Sequence, residues 1–170
     1  MSTELSGLVD IQINGGFGHD FTEDADSIWS VGAKLSDFGV EAFLPTIISS
    51  PPGTVEKALE VLASGPPPGY RGARPLGLHI EGPMLAPSRR GTHPEQFLRL
   101  PSLEVVEGWT AAAGVLMVTL APELPGARSV VEALLTEGVV VALGHSAATY
   151  EEATAAFSWG ITHVTHLFNA

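Results

Sequence analysis

An α/β fold, with parallel strands forming part of a (βα)8 barrel, is predicted by two features of this sequence. Short apolar runs rich in β-branched residues recur along the 170 residues with helix-like segments between them, the rhythm of βα units. Three of those runs lead into a strong metal-ligand type: Leu76 to Ile80 into Glu81, Val139 to Leu143 into Gly144-His145, and Ile161 to Thr165 into His166. Neighbouring parallel strands of a barrel turn their carboxyl ends to one side, so Glu81, His145 and His166 are expected to converge there on a single cation.

The remaining elements follow in order. Strands are expected near Leu8 to Ile13, Ala42 to Ile48 and Val115 to Leu120, besides the three above. Asp26 or Ser27 can cap a first helix that runs to Phe38 and ends at Gly39. A second, Thr54 to Leu62, stops before Gly65 and Pro66-Pro67-Pro68. Later helices are expected near Leu103 to Ala112, Ser129 to Thr136 with Gly138 behind it, and Thr149 to Phe157 with Gly160 behind it. The stretch Gly82 to Pro101 lacks a period and carries Pro83, Pro87, Pro94, Arg89, Arg90 and His93; directly after Glu81, it should fold over the mouth of the site. Ser64 to Pro75 reads as a plain connector.

Six strands are too few for a closed eight-stranded barrel. A doubly wound sheet could use that number, but its Gly-rich fingerprint at the first helix is absent. The expected domain is therefore a single incomplete catalytic barrel over 1–170, with unpaired, apolar edges at its first and last strands. Such edges predict a homo-oligomer, an aggregate or a loosely packed species.

Composition narrows the function. Hydrophobic residues make up 45% and charged residues 16%, as in a globular domain. The 8 Lys and Arg against 19 Asp and Glu give a net charge of -11, which argues against nucleic acid or an anionic membrane as partner. A small phosphorylated substrate needs only a local pocket of N–H groups and one or two cations. The chain has no cysteine, which excludes disulfides and thiolate metal sites and fits the cytoplasm, and no apolar run approaches the roughly 20 residues of a membrane span.

Mixed His and carboxylate ligands suit a catalytic divalent ion, Zn2+ first among them, with a position open for water whose pKa is lowered toward about 7. His79 lies on the same strand face as Glu81, which makes it a core residue or a support for the ligands. His163 is expected to be buried at its strand's start, and His19, in the Gly15-Gly16-Phe17-Gly18 turn, solvated.

Six segments, taken together and in order, carry a resemblance. They are Gly7-Leu8-Val9-Asp10-Ile11-Gln12-Ile13-Asn14-Gly15-Gly16, Gly77-Leu78-His79-Ile80-Glu81-Gly82-Pro83, Gly91-Thr92-His93-Pro94, Val118-Thr119-Leu120-Ala121-Pro122-Glu123, Gly144-His145-Ser146-Ala147-Ala148-Thr149-Tyr150 and Thr165-His166-Leu167-Phe168-Asn169-Ala170. The chain resembles the N-acetylglucosamine-6-phosphate deacetylases of the amidohydrolase superfamily.

The resemblance implies a partial TIM-type (βα)8 barrel of the metal-dependent amidohydrolase kind, with about six βα units present, in which Glu81, His145 and His166 hold one divalent metal. Gln12 and Asn14 stand where many amidohydrolases carry a His-x-His pair for a second metal. Thr92, His93, Asn169 and Ala170 would meet the sugar phosphate. The family's catalytic Asp, at the end of its last barrel strand, is expected beyond Ala170, so that the chain alone should be close to inactive. Rival readings are a catalytically incomplete metal-binding fragment, and another single-metal amidohydrolase acting on an acetylated amino sugar or a cyclic amide.

Overall fold

The structure is a computed structural model that describes residues 7–169. Its elements in chain order are β1 (Leu8–Ile13), β2 (Gly15–Gly16), β3 (His19–Asp20), α1 (Ser27–Leu35), β4 (Val40–Ile47), α2 (Thr54–Ala63), β5 (Arg74–Pro75), β6 (Leu78–Glu81), β7 (Val115–Leu120), α3 (Ala127–Thr136), β8 (Val140–Leu143), α4 (Tyr150–Ser158) and β9 (His163–Val164). Strands β1, β4, β6, β7, β8 and β9 pair in that order, all parallel, and β5 adds a short parallel pairing on β4. The result is a parallel half-barrel with β1 and β9 at its two edges, an α/β fold of the partial TIM-type kind.

Parallel register puts paired side chains in rows. Glu81 is level with Thr119, Thr119 with Ala142, and Ala142 with His163, so the four share one face; His79, Met117 and Val140 form the row beneath. The opposite face is the main core. There Phe43, Ile47, Leu78, Ile80, Val118, Leu120 and Val141 pack with Ile28 and Val31 of α1, Ala58 and Val61 of α2, and Val130, Val131 and Leu134 of α3. Burying each large aliphatic side chain contributes about 1.5–3 kcal/mol. A smaller apolar cluster of Leu44, Met117 and Ala142 fills the ligand-bearing face below the site.

Local signals explain the boundaries. A 3-10 turn at Ser36–Phe38 extends α1 to Gly39, which takes a left-handed φ of 80°. Thr149 and Glu152 form a reciprocal capping box at the start of α4, with N–H to oxygen distances of 2.8 and 3.2 Å. Two expectations fail. Leu103 to Ala112 is a run of turns rather than a helix, because Gly108 (φ 79°) interrupts it and only Val106 is buried. His163 is exposed, since β9 is an edge strand of two residues, and among the described residues its ring finds only the Thr162 hydroxyl, at 2.8 Å. The β2–β3 hairpin lies within the stretch read as a flexible turn, and His19 is exposed there as expected.

Candidate metal centre

Glu81 ends β6 with 2% of its surface exposed, and its Oε1 is the focus of the site. His145 Nε2 lies 2.9 Å from that oxygen, His166 Nε2 3.0 Å, and Gln12 Nε2, which donates to it from β1, 2.8 Å. One donor atom from each of Glu81, His145 and His166 fits within 4.8 Å of the others, a spread that one cation can span. The His166 side chain remains 41% exposed, which leaves the cluster open on one side.

Both histidines sit just past a strand end, on left-handed backbone: φ is 50° at His145 and 56° at His166. For residues with a Cβ this costs on the order of 1 kcal/mol each, a strain found at functional sites.

The loop after Glu81 folds over the site as expected. The Arg89 carbonyl accepts from His145 Nδ1 at 2.8 Å, and the Ala86 N–H donates to the His145 carbonyl at 3.0 Å. With Nδ1 held as a donor by this carbonyl, Nε2 donates to Glu81 Oε1, and giving up that proton would leave a neutral ring whose Nε2 lone pair faces Glu81 and His166. That is the tautomer a metal ligand needs, so the residues fit a bound cation.

His93, 1% exposed, reaches Glu81 Oε2 with Nε2 at 3.7 Å. The Ser49 N–H donates to its Nδ1 at 3.2 Å, so the neutral ring carries its proton on Nε2. His93 therefore faces the cluster as a donor. Beyond the ligands, Glu123 accepts from the Ser146 hydroxyl and the Ala147 N–H, both at 2.6 Å, and so fixes the turn that follows His145.

The electrostatics follow from this packing. Burial alone would raise the Glu81 carboxyl, but the hydrogen bond from His145 and the neighbouring imidazoles outweigh it and hold the group well below the usual carboxylate range. Burial likewise opposes charge on His145, yet its bonds to Glu81 and to the Arg89 carbonyl raise its pKa. His79 and His93 are pulled down to about 4, chiefly by burial.

The other residues singled out in the sequence are placed as follows. Asn14 lies next to β2, and its buried Nδ2 lacks a hydrogen-bond partner among the described residues. Thr92 is exposed. Asn169 is exposed too, and its Nδ2 donates to the Leu167 carbonyl at 3.2 Å. Ala170 lies outside the described residues. Sequence reasoning missed Ser49 and Glu123 as supports and the approach of Gln12 to Glu81; Glu123 and Gln12, each inside a resembling segment, carried a signal that could have found them, and Ser49 carried none. Cavities of about 600 Å3 beside Trp29, Lys57 and Tyr70, and of about 700 Å3 beside Ser49, Arg99 and Trp109, are not lined by Glu81.

No protein-family model matches the chain. Individual proteins do. The mouse N-acetylglucosamine-6-phosphate deacetylase is 41% identical over 175 residues, covering 96% of this chain and 42% of the mouse protein. The Bacillus subtilis protein of the same name is 33% identical over 175 residues, covering 99% and 44%. Among solved structures, the Pasteurella multocida deacetylase superposes with a TM-score of 0.79 at 32% identity, over 97% of this chain and 44% of that one. A Mycobacterium smegmatis variant solved in complex with N-acetyl-D-glucosamine-6-phosphate gives 0.83 at 32%, over 96% and 43%. The chain thus spans less than half the length of the relatives it matches. Over the part of them that it spans, in sequence and in fold, it belongs with the N-acetylglucosamine-6-phosphate deacetylases.

Proposed function

We propose that the chain provides the metal-binding side of a hydrolase that removes the N-acetyl group of N-acetylglucosamine 6-phosphate, yielding glucosamine 6-phosphate and acetate. The convergence of Glu81, His145 and His166 within 4.8 Å carries the reading. A bound divalent ion, Zn2+ by its ligand types, would polarise the acetyl carbonyl and lower the pKa of a water. Glu81 supplies the negative charge that holds the cation, while the Arg89 carbonyl and Glu123 keep His145 and its turn in place. His93, with a proton on Nε2 facing the cluster, is positioned to donate to a substrate oxygen. Thr92, Asn169 and Ala170 complete the phosphate side. Gln12 and Asn14 carry neutral amides, so a second tightly held metal is not expected.

A net charge of -11 and the absence of cysteine support a small-molecule partner and the cytoplasm. No helix among the described residues is long and apolar enough to cross a membrane. The exposed apolar side chains at both sheet edges support a homo-oligomer.

A second reading has its own observation: among the described residues no Asp joins the ligand cluster. On that reading the chain binds metal without efficient turnover. General-base catalysis contributes roughly 100- to 10,000-fold, so its absence is measurable. Release of acetate from N-acetylglucosamine 6-phosphate, followed with added Zn2+, separates the two. Zn2+ uptake with acetate release barely above background supports the second; turnover that disappears in His145→Ala supports the first.

A further inference from the structure

A chain of buried hydrogen bonds runs through the half-barrel beneath the ligand cluster. His79 lies two residues before Glu81, on the same face of β6, and is 0% exposed. Its Nδ1 is 3.0 Å from the Ile11 carbonyl oxygen on β1; a carbonyl only accepts, so this nitrogen carries a proton. Its Nε2 is 2.7 Å from the Thr119 hydroxyl of β7, which is in turn 2.7 Å from the Thr165 hydroxyl. In the neutral ring Nε2 accepts, so Thr119 donates to it and has its own oxygen left to accept from Thr165. The direction is set along the whole path, from Thr165 through Thr119 and His79 to Ile11. Thr119 is 0% and Thr165 5% exposed, so water does not compete for these bonds.

The path has to cross β8, which separates β7 from β9. At the crossing stands Gly144. Its φ is not positive, so the backbone there does not require glycine. Space does: a Cβ at Gly144 would lie 2.7 Å from Thr119 Cγ2 and 2.7 Å from Thr165 Cβ. The missing side chain lets the two threonines meet.

Thr165 directly precedes His166, the ligand most in need of an anchor. β9 pairs through only two residues, the His166 backbone is left-handed, and its side chain is 41% exposed. We infer that the His79–Thr119–Thr165 relay positions His166 by tying the edge segment to the middle of the sheet, with Gly144 as the gap through which it passes. Thr119, Thr165 and His79 are thus positioning residues. This role rests on reading His166 as a cation ligand, whereas the relay itself needs no cation.

The test is long-range 1H–15N NMR of the histidine rings in the full chain, with Zn2+ titration beside it. Thr119→Val keeps the shape and removes the hydroxyl. It should move the His79 Nε2 signal toward that of a free acceptor, shift or split the His166 ring signals, and weaken Zn2+ binding by about 10- to 100-fold. Thr119→Ser should restore all three, which a role limited to packing would not require. Gly144→Ala should act in the direction of Thr119→Val. Should Thr119→Val lose its fold, Thr165→Ala carries the same test, with Thr165→Ser as the rescue. Unchanged His166 signals and unchanged Zn2+ affinity in a folded Thr119→Val overturn the positioning role and leave the cation reading intact. A wild-type chain that takes up no Zn2+, yet whose His166 signals respond to Thr119→Val, overturns the cation reading and upholds the relay.

Discussion

The centre and the edges of the sheet are built from similar residues and meet different fates. β7, Val-Leu-Met-Val-Thr-Leu, is buried at every position but one. β1, Leu-Val-Asp-Ile-Gln-Ile, has no fully buried residue, and Leu8, Val9 and Ile11 are 40%, 54% and 45% exposed. At the other edge Leu167 and Phe168 are 56% and 95% exposed. What differs is the neighbours: β7 has a strand on each side and helices behind it, whereas an edge strand has a partner on one side only. Burial here follows from position in the sheet rather than from hydrophobicity. The candidate site spans both regimes, with Glu81 at the centre and Gln12 and His166 reaching in from the two edges.

Stability should show this contrast most strongly. Phe43→Ala, at a fully buried position of β4, should lose about 3–5 kcal/mol in denaturant unfolding, whereas Ile11→Ala should change stability by about 0.5 kcal/mol or less. Equal losses at both positions would break the comparison.

Acid should act on the centre next. His79 and His93 have folded pKa values of about 4, below the ordinary value of 6.5, so unfolding takes up protons between those limits. Stability is therefore full above pH 6.5 and falls as pH drops from 6.5 toward 4, by up to about 3 kcal/mol for each ring. His145, with a raised value, contributes in the opposite sense: its stabilisation is present below pH 6.5 and is lost as pH rises through its folded pKa. Melting temperatures across this range, repeated in His79→Gln, resolve the two directions.

The edges should show themselves in association rather than in folding. Light scattering of the chain should report species larger than a monomer, and Val9→Lys with Ile11→Lys should shift the distribution toward the monomer. A monodisperse monomer that melts cooperatively would show that the exposed strands are tolerated as they are. A modest effect belongs to a helix end remote from this contrast: Thr149→Ala removes one half of the capping box and should cost about 1 kcal/mol.

The centre is also the more legible region in the sequence. The bounds of β7 can be read directly because a run of apolar and β-branched residues lies between turn residues, and those of β1 because it alternates before Gly15-Gly16. The cluster of Glu81, His145 and His166 is legible because each member follows such a run. Leu103 to Ala112 misleads, since its helical spacing of apolar residues outweighs one glycine on paper and not in the chain. His163 misleads because period alone does not reveal that its strand stands at an edge. The contact of His93 with Glu81 is illegible, as a loop without a period does not disclose where it folds back. So is the left-handed backbone at His145 and His166, because sterics favour glycine or asparagine there and histidine carries no such signal.

Equilibrium dialysis of the chain against Zn2+ checks whether Glu81, His145 and His166 hold one cation. About one equivalent per chain is expected, abolished in His145→Ala or His166→Ala and unchanged in His19→Ala, with protons released on uptake because His145 must free its Nε2. Two tightly held ions, or binding that survives His145→Ala, would contradict it.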